Sequence, residues 1–196
     1  QEPMSLVELQ RYALLGEALA SGHAHGDNVF PALEGGLLLI QSCDPVKTLR
    51  LPVPAMELVL VCPDITIETR AARALLQSPW PLDAMVQQSA DLASVIAGLY
   101  SGDEALLRDH FHDRLVAPRR AALIPGFDDV CAAARACGAI ACSLSGSGPT
   151  LFAVVPAGVD STVVRQAMLD AFMQHRLSCQ SWVSPISLQG ARVIEG

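Results

Sequence analysis

GAIACSLSGSGPTLFAVVP, Gly138 to Pro156, sets two short apolar runs on either side of a loop made of Ser, Gly, Pro and Thr. Apolar runs of that length, bounded by turn residues, read as buried strands. The stretch is therefore strand, glycine loop, strand. Gly146 and Gly148 permit positive φ and the close approach of a second backbone or an anion. An ordinary hairpin turn explains them equally well, because a lone G-x-G is weak evidence. A Walker A loop is excluded: it needs Gly-Lys-Ser/Thr, and the single lysine, Lys47, sits in DPVKTL.

Working outward from this hairpin gives the element order. Upstream, MELVLVCP (Met56 to Pro63) is a buried strand, and TIETRAARALLQS is a helix starting near Thr66. Pro79-Trp80-Pro81 breaks the chain, and helices are expected over Asp83–Tyr100, Asp103–Phe111 and, after Pro125-Gly126, Phe127–Cys137. Downstream come a helix over Thr162–Gln174, a short strand over Cys179–Val183 and a candidate last strand in SLQGARVIEG. From Met56 onward this is a ferredoxin-like βαββαβ order with extra helices in its first half. Ahead of it, LVELQRYALLGEALAS (Leu6 to Ser21) reads as a helix with Ser5 as N-cap, Gly22 as stop and a stripe of Leu6, Leu9, Ala13, Gly16 and Ala20. Glu17 falls at the edge of that stripe. SGHAHGDNVFPALEGG then reads as a loop, and LEGGLLLIQS as a glycine turn entering a strand.

Composition narrows the classes. Of 196 residues 51% are apolar, but only 5% are aromatic, so the core is expected to be Ala, Leu and Val in an α+β packing. The net charge of −7 with scattered arginines lacks the basic patch of a nucleic-acid binder. Six cysteines without a C-x-x-C pair read as free thiols in a reducing cytoplasm and argue against zinc. The apolar runs are strand-sized, and the opening residues lack a secretory leader pattern.

Several constellations are able to carry chemistry. Glu17 near an apolar stripe costs desolvation unless it is paired, reaches solvent or binds a metal; one carboxylate sharing its ion with phosphate oxygens and water suits Mg2+. His25, Asp27 and Asn28 offer ring nitrogens, a carboxylate and an amide on one short stretch, or simply cap a turn. Thr69 and Arg73 are four apart on one helix face and can grip a carboxylate, with Arg120 as a second arginine; solvated surface arginines are the plain alternative. There is no G-x-S-x-G elbow. These residues alone describe an α+β protein with a candidate anion site and name no reaction.

Taken together, GEALASGHAHGDNVFPALEGG, SLSGSGPTLFA and the terminal GARVIEG resemble the homoserine kinases of the GHMP small-molecule kinase superfamily, in order and along the whole chain. The H-x-D-N-x-x-P and SGSGPT pieces are specific in combination; SGSGPT alone points only to the superfamily. The resemblance implies a GHMP-type fold, with residues 1–52 as the remainder of an N-terminal domain and 53–196 as a ferredoxin-like C-terminal domain. It implies phosphorylation of the L-homoserine side-chain hydroxyl by ATP with Mg2+, in threonine biosynthesis. By the same resemblance Glu17 is the Mg2+ ligand and His25 lines the homoserine pocket, where it is expected to orient the hydroxyl. Asn28, Thr69, Arg73 and Arg120 bind substrate, and Gly146, Ser147 and Gly148 form the cofactor-side glycine loop that buttresses the phosphate-binding loop and borders the substrate. A cytoplasmic homodimer is the family's default.

The family's phosphate-binding loop, P-x-x-x-G-L-G-S-S, and the helix behind it have no counterpart here. The expectation is a fragment or truncated product that alone neither binds ATP in the family's manner nor catalyses, with an exposed sheet edge. Another GHMP kinase acting on a different small alcohol, an amino-acid-binding ferredoxin-like module and a remnant that binds nothing remain open alternatives.

Overall fold

The structure, a computed structural model, describes residues 4–67, 75–77 and 79–194. They gather into two compact units, Gln1–Val53 with Ile186–Gly196, and Pro54–Pro185.

In the first unit, α1 (Leu6–Ser21) begins at a reciprocal cap: Ser5 Oγ accepts from the Glu8 N–H, and the Glu8 carboxylate accepts from the Ser5 N–H at 2.8 Å. Such a cap satisfies two donors that the first helical turn leaves over. Gly22, at φ 80°, ends the helix. The packed face differs from the expected stripe. Gln10 and Leu14 are buried, Ala13, Glu17 and Ala18 are half-buried, and Leu6, Leu9, Gly16 and Ala20 lie exposed. The reason is polar. Gln10 Nε2 donates to Glu34 Oε1 at 2.6 Å, where Thr48 Oγ1 also donates at 3.1 Å, so a glutamine turns inward to partners that an apolar count does not see. Glu17 consequently shares the packed face.

The stretch expected to be a loop holds a second helix, α2 (Gly26–Glu34). Val29, Phe30 and Leu33 give it an apolar side, and Phe30 is completely buried. Gly26 fits flat against that ring, since a Cβ there would stand 2.5 Å from Phe30 Cε2. Pro31 lies inside the helix and removes the N–H that would bond the Asp27 carbonyl. Burial of Phe30, about 1.5–3 kcal/mol, offsets this local penalty. β1 (Leu37–Cys43) and β2 (Val46–Leu51), the latter unforeseen, pair antiparallel with an irregularity between Ile40 and Ser42.

The expected last strand is instead an extended strap without a ladder. The Gly36 N–H donates to Ser187 O at 2.7 Å, and the Ala191 N–H to Ala32 O at 2.8 Å. Gly35, at φ 73° and ψ 173°, lies against the strap backbone, and a Cβ there would meet the Gln189 carbonyl carbon at 2.5 Å. A Gly35→Ala variant therefore meets both a glycine-only backbone conformation and a clash with main chain. It is expected to lose at least ~1–3 kcal/mol, read as a lower urea midpoint.

The second unit is built on the sheet β4–β5–β3–β6, from β3 (Met56–Pro63), β4 (Ala141–Leu144), β5 (Leu151–Pro156) and β6 (Cys179–Pro185). All neighbours run antiparallel, which is the ferredoxin-like order anticipated from the hairpin. The inserted helices are α3 (Leu82–Ser101), α4 (Glu104–His110) and the short α5 (Val116–Ala121), which was not foreseen. α6 (Phe127–Ala136) and α7 (Ser161–Gln174) press Val130, Ala134, Val164, Met168 and Phe172 into one core with Val59, Val61, Ala153 and Val155. Most of the helix expected from Thr66 lies outside the described residues.

Candidate active site

The glycine loop joins β4 to β5. It is closed by the Ser145 N–H donating to Thr150 O at 2.8 Å and the Gly148 N–H donating to Ser145 O at 3.1 Å. Gly146 and Gly148 have φ of 59° and 80°, which glycine adopts without a Cβ penalty. A Cβ on Gly148 would touch Ile124, Leu144 and Ile67 at 3.3–3.5 Å, so the loop backbone is seated on side chains. Ser147 is exposed. Ile67 stands two residues before Thr69; Thr69 and Arg73 themselves lie outside the described residues.

Arg120, near the end of α5, reaches this loop: Nη1 donates to Gly146 O at 3.1 Å. Its Nε is buried and, among the described residues, has no hydrogen-bond partner. A buried guanidinium N–H left unmatched costs on the order of 1–3 kcal/mol, so an acceptor arriving there is rewarded. The residues holding α5 in place were not singled out from the sequence. Asp113 Oδ1 accepts from the Leu115 and Val116 N–H groups, at 3.0 and 2.8 Å, and Oδ2 accepts from the Ala117 N–H at 3.0 Å. Beside it, Arg114 Nε donates to the buried carboxylate of Asp91 on α3. Asp91 also accepts from Gln87 at 3.1 Å and faces His110 Nδ1 at 3.0 Å. Burial pushes the Asp91 carboxyl up, but the bonds from Arg114, His110 and Gln87 outweigh it and hold it at about 2.

Arg119 faces away from its neighbour's task. Its guanidinium lies 3.3 Å over the Trp80 ring and donates to Leu75 O at 3.3 Å and Pro79 O at 2.8 Å. It thereby ties down the chain that leaves the segment bearing Thr69 and Arg73. The adjacent arginines in PRR and a tryptophan between two prolines were the available sequence signals.

In the first unit, His25 is the N-cap residue of α2, with extended backbone, an exposed side chain and no side-chain cap bond. Its ring centroid is 5.8 Å from that of His23. Asn28 is exposed on the first turn of the same helix, and Glu17 lies half-buried on α1. The structure thus brings His25 and Asn28 onto one helix start, and Arg120 and Gly146 into direct contact. Among the described residues no three His, Cys, Asp or Glu side chains gather as a metal cage. Glu17 fits a Mg2+ ion only as a single carboxylate whose other ligands are phosphate oxygens and water. No helix among the described residues is long and apolar enough to cross a membrane.

With this geometry in hand, comparison with known proteins is direct. Residues 95–174 match the family model described as GHMP kinases C terminal. A homoserine kinase of Xylella fastidiosa (strain 9a5c) is 42% identical over 195 residues, covering 99% of this chain and 60% of that protein. A homoserine kinase of Chlorobium phaeobacteroides (strain DSM 266) is 40% identical over 196 residues, covering 98% and 61%. The crystal structure of a homoserine kinase from Cytophaga hutchinsonii superposes with a TM-score of 0.92 at 38% identity, over 97% of this chain and 61% of that one. L. major mevalonate kinase, solved with R-mevalonate, shares the fold at a TM-score of 0.63 and 15% identity, over 93% and 59%. The chain spans about three-fifths of the length of the curated relatives it matches. The chain is thus similar to homoserine kinases along its whole length, in sequence and in fold, and it carries a region that matches the C-terminal part of the GHMP kinases.

Proposed function

We propose that the protein, with the further length its relatives have, transfers the terminal phosphoryl group of ATP to the side-chain hydroxyl of L-homoserine. The observation that carries this reading is Arg120: one guanidinium nitrogen bonds the Gly146 carbonyl while Nε is buried and unmatched beside the glycine loop. A small substrate's carboxylate is the acceptor that would satisfy it, and Thr69 and Arg73 would share that grip. Asn28 would contact the same amino acid. His25, exposed at the start of α2, would orient the hydroxyl. Gly146, Ser147 and Gly148 would border the phosphates, where no Cβ crowds the approach at the two glycines.

Glu17 would hold Mg2+. The ion, when bound with ATP, would neutralise phosphate charge, and transfer would then depend on position and electrostatics, with no strong general base. A reducing cytoplasm supplies the ATP this chemistry needs, and a homodimer is the assembly to test by light scattering.

The experiment is intact mass of the purified protein beside a coupled ADP-release assay with L-homoserine and Mg·ATP. A chain longer than this one by about a hundred residues, with homoserine-dependent turnover, is the expected result. In that enzyme His25→Ala lowers kcat/KM by ~10²–10³, the range for a positioning group at a reacting centre. An unchanged kcat/KM removes His25 from the reaction. Turnover of other small alcohols in preference to homoserine overturns the substrate assignment.

A further inference from the structure

Away from the glycine loop, a cavity of about 200 Å3 lies between α5, α6 and β4 and is lined in part by His112, Cys131, Arg135, Cys142 and Ser143. Two of those side chains are thiols from different elements. Cys131 is half-buried on α6 and Cys142 is buried on β4, and both are free. The two side chains are neighbours at the cavity, and Cys131 Sγ donates to the Cys142 carbonyl oxygen at 3.6 Å. Arg135, one turn along α6 from Cys131, donates to Ile140 O at 3.3 Å and so keeps its charge at the same cavity.

We propose that Cys131 and Cys142 form an oxidisable dithiol that takes a hydroperoxide in this cavity and closes to a disulfide. Cys131 is the reactive member. The neighbouring Cys142 thiol and the charge of Arg135 hold its thiol below the usual range, against burial and Asp128. The contact with the Cys142 carbonyl at 3.6 Å favours the protonated form and acts against them. The Cys131 thiol beside it and burial push the Cys142 thiol up, so that it keeps its proton. Burial and the arginine charges at Arg135 and Arg114 lower the His112 pKa, so the imidazole in the same cavity is neutral and does not repel the guanidinium.

The chemistry balances with the hydroperoxide as oxidant. The Cys131 thiolate attacks one peroxide oxygen, the O–O bond breaks, and the departing alkoxide or hydroxide takes a proton from water; Cys131 is left as a sulfenic acid. The Cys142 sulfur then attacks the Cys131 sulfur, the S–O bond breaks, and the hydroxyl leaves with the Cys142 proton as water. Sulfur is oxidised from thiol to disulfide, and peroxide is reduced to water or alcohol. Because β4 runs directly into Ser145, the new bond fastens the entry of the glycine loop to α6.

A second pair of cysteines provides an internal comparison. In the β3–β6 ladder Cys62 is registered with Gln180 and Cys179 with Pro63, one position apart, and both cysteines line another pocket. There burial and the neighbouring Cys62 push the Cys179 thiol up, and among the described residues no arginine lines the pocket. Oxidation should therefore start at Cys131.

The test treats the reduced protein with hydrogen peroxide, quenches it by alkylation and maps tryptic peptides by mass spectrometry. The expected product has two fewer free thiols and a link between the peptides holding Cys131 and Cys142. Cys137 shares the second peptide, so a Cys137→Ser variant is mapped as well, and the link should survive in it. In Cys142→Ser the link should vanish and dimedone should label Cys131; in Cys131→Ser, Cys142 should stay a free thiol. The wild-type map decides even where a variant fails to fold. A Cys62–Cys179 link forming first overturns the proposal, and so does a link that persists in Cys142→Ser. Cys131 remaining reduced while other thiols oxidise does the same.

Discussion

An Asp91→Ala variant is expected to lose about 3–5 kcal/mol of stability, the usual consequence of removing one partner from a buried ion pair. Asp91 is completely buried, and it holds Arg114, His110 and Gln87. Truncation leaves those donors facing a void, with the Arg114 charge no longer balanced. Urea denaturation reads the effect as a lower midpoint at unchanged slope. Asp91→Asn keeps the volume and should lose less. The acid profile checks the same group independently. Its folded pKa, about 2, lies below the ordinary carboxylate value near 4. A depressed folded pKa means that its stabilisation is complete above the unfolded value and is lost as pH falls through the folded one. Wild-type stability should therefore drop between about pH 4 and pH 2, and the Asp91→Ala profile should be flatter over that window. A variant as stable as the wild type, with an identical acid limb, would show that the network carries no weight.

The second large effect belongs to Arg120. In the full-length enzyme proposed above, Arg120→Ala should reduce kcat/KM for homoserine by roughly 10- to 100-fold, mainly through KM, as expected for losing a hydrogen bond to a charged group. Arg120→Lys should not restore it, because an ammonium cannot hold the Gly146 carbonyl and a carboxylate in one planar fork. The two predictions are linked through the chain: Arg114 is anchored by Asp91, Asp113 satisfies the first N–H groups of α5, and α5 carries Arg120. An Arg120→Ala enzyme with unchanged KM would remove Arg120 from the substrate site.

The sheet was readable from the sequence because its signals are local. Continuous apolar runs ending in proline or glycine marked β3, β4 and β5, and their order left one compact arrangement. The start of α1 was readable for the same reason, with Ser5 and Glu8 closing a cap within one turn. The misreadings arose where distant partners decide the outcome. The inward face of α1 follows Gln10, whose partner Glu34 is on another helix. α2 looked like a loop because glycine and proline are poor helix formers, and only the burial of Phe30 against Gly26 shows why a helix forms. β2 alternates in burial, but exposed Lys47, Leu49 and Arg50 obscure its pattern. Nothing local marks Asp91, since its partners Arg114 and His110 are about twenty residues further on. Of the candidate site, Arg120 and the glycine loop proved to be in contact. That pairing was suggested by a family likeness; no spacing rule relates a residue at 120 to a loop at 146.

The strap formed by Ser187 to Ala191 belongs to the unit made of the first fifty-odd residues, yet the whole of Pro54–Pro185 is translated in between. On a ribosome adding about 5–20 residues per second, Gly35 and Gly36 wait on the order of ten seconds for their main-chain neighbours to emerge. The intervening unit carries nearly the same delay, because Glu57, near its beginning, is the ladder partner of Pro185 at its end. Of the two units, the one translated earlier is therefore finished last, and a chain ended before Ser187 leaves Gly35 without its strap while every strand of the ferredoxin-like sheet is present.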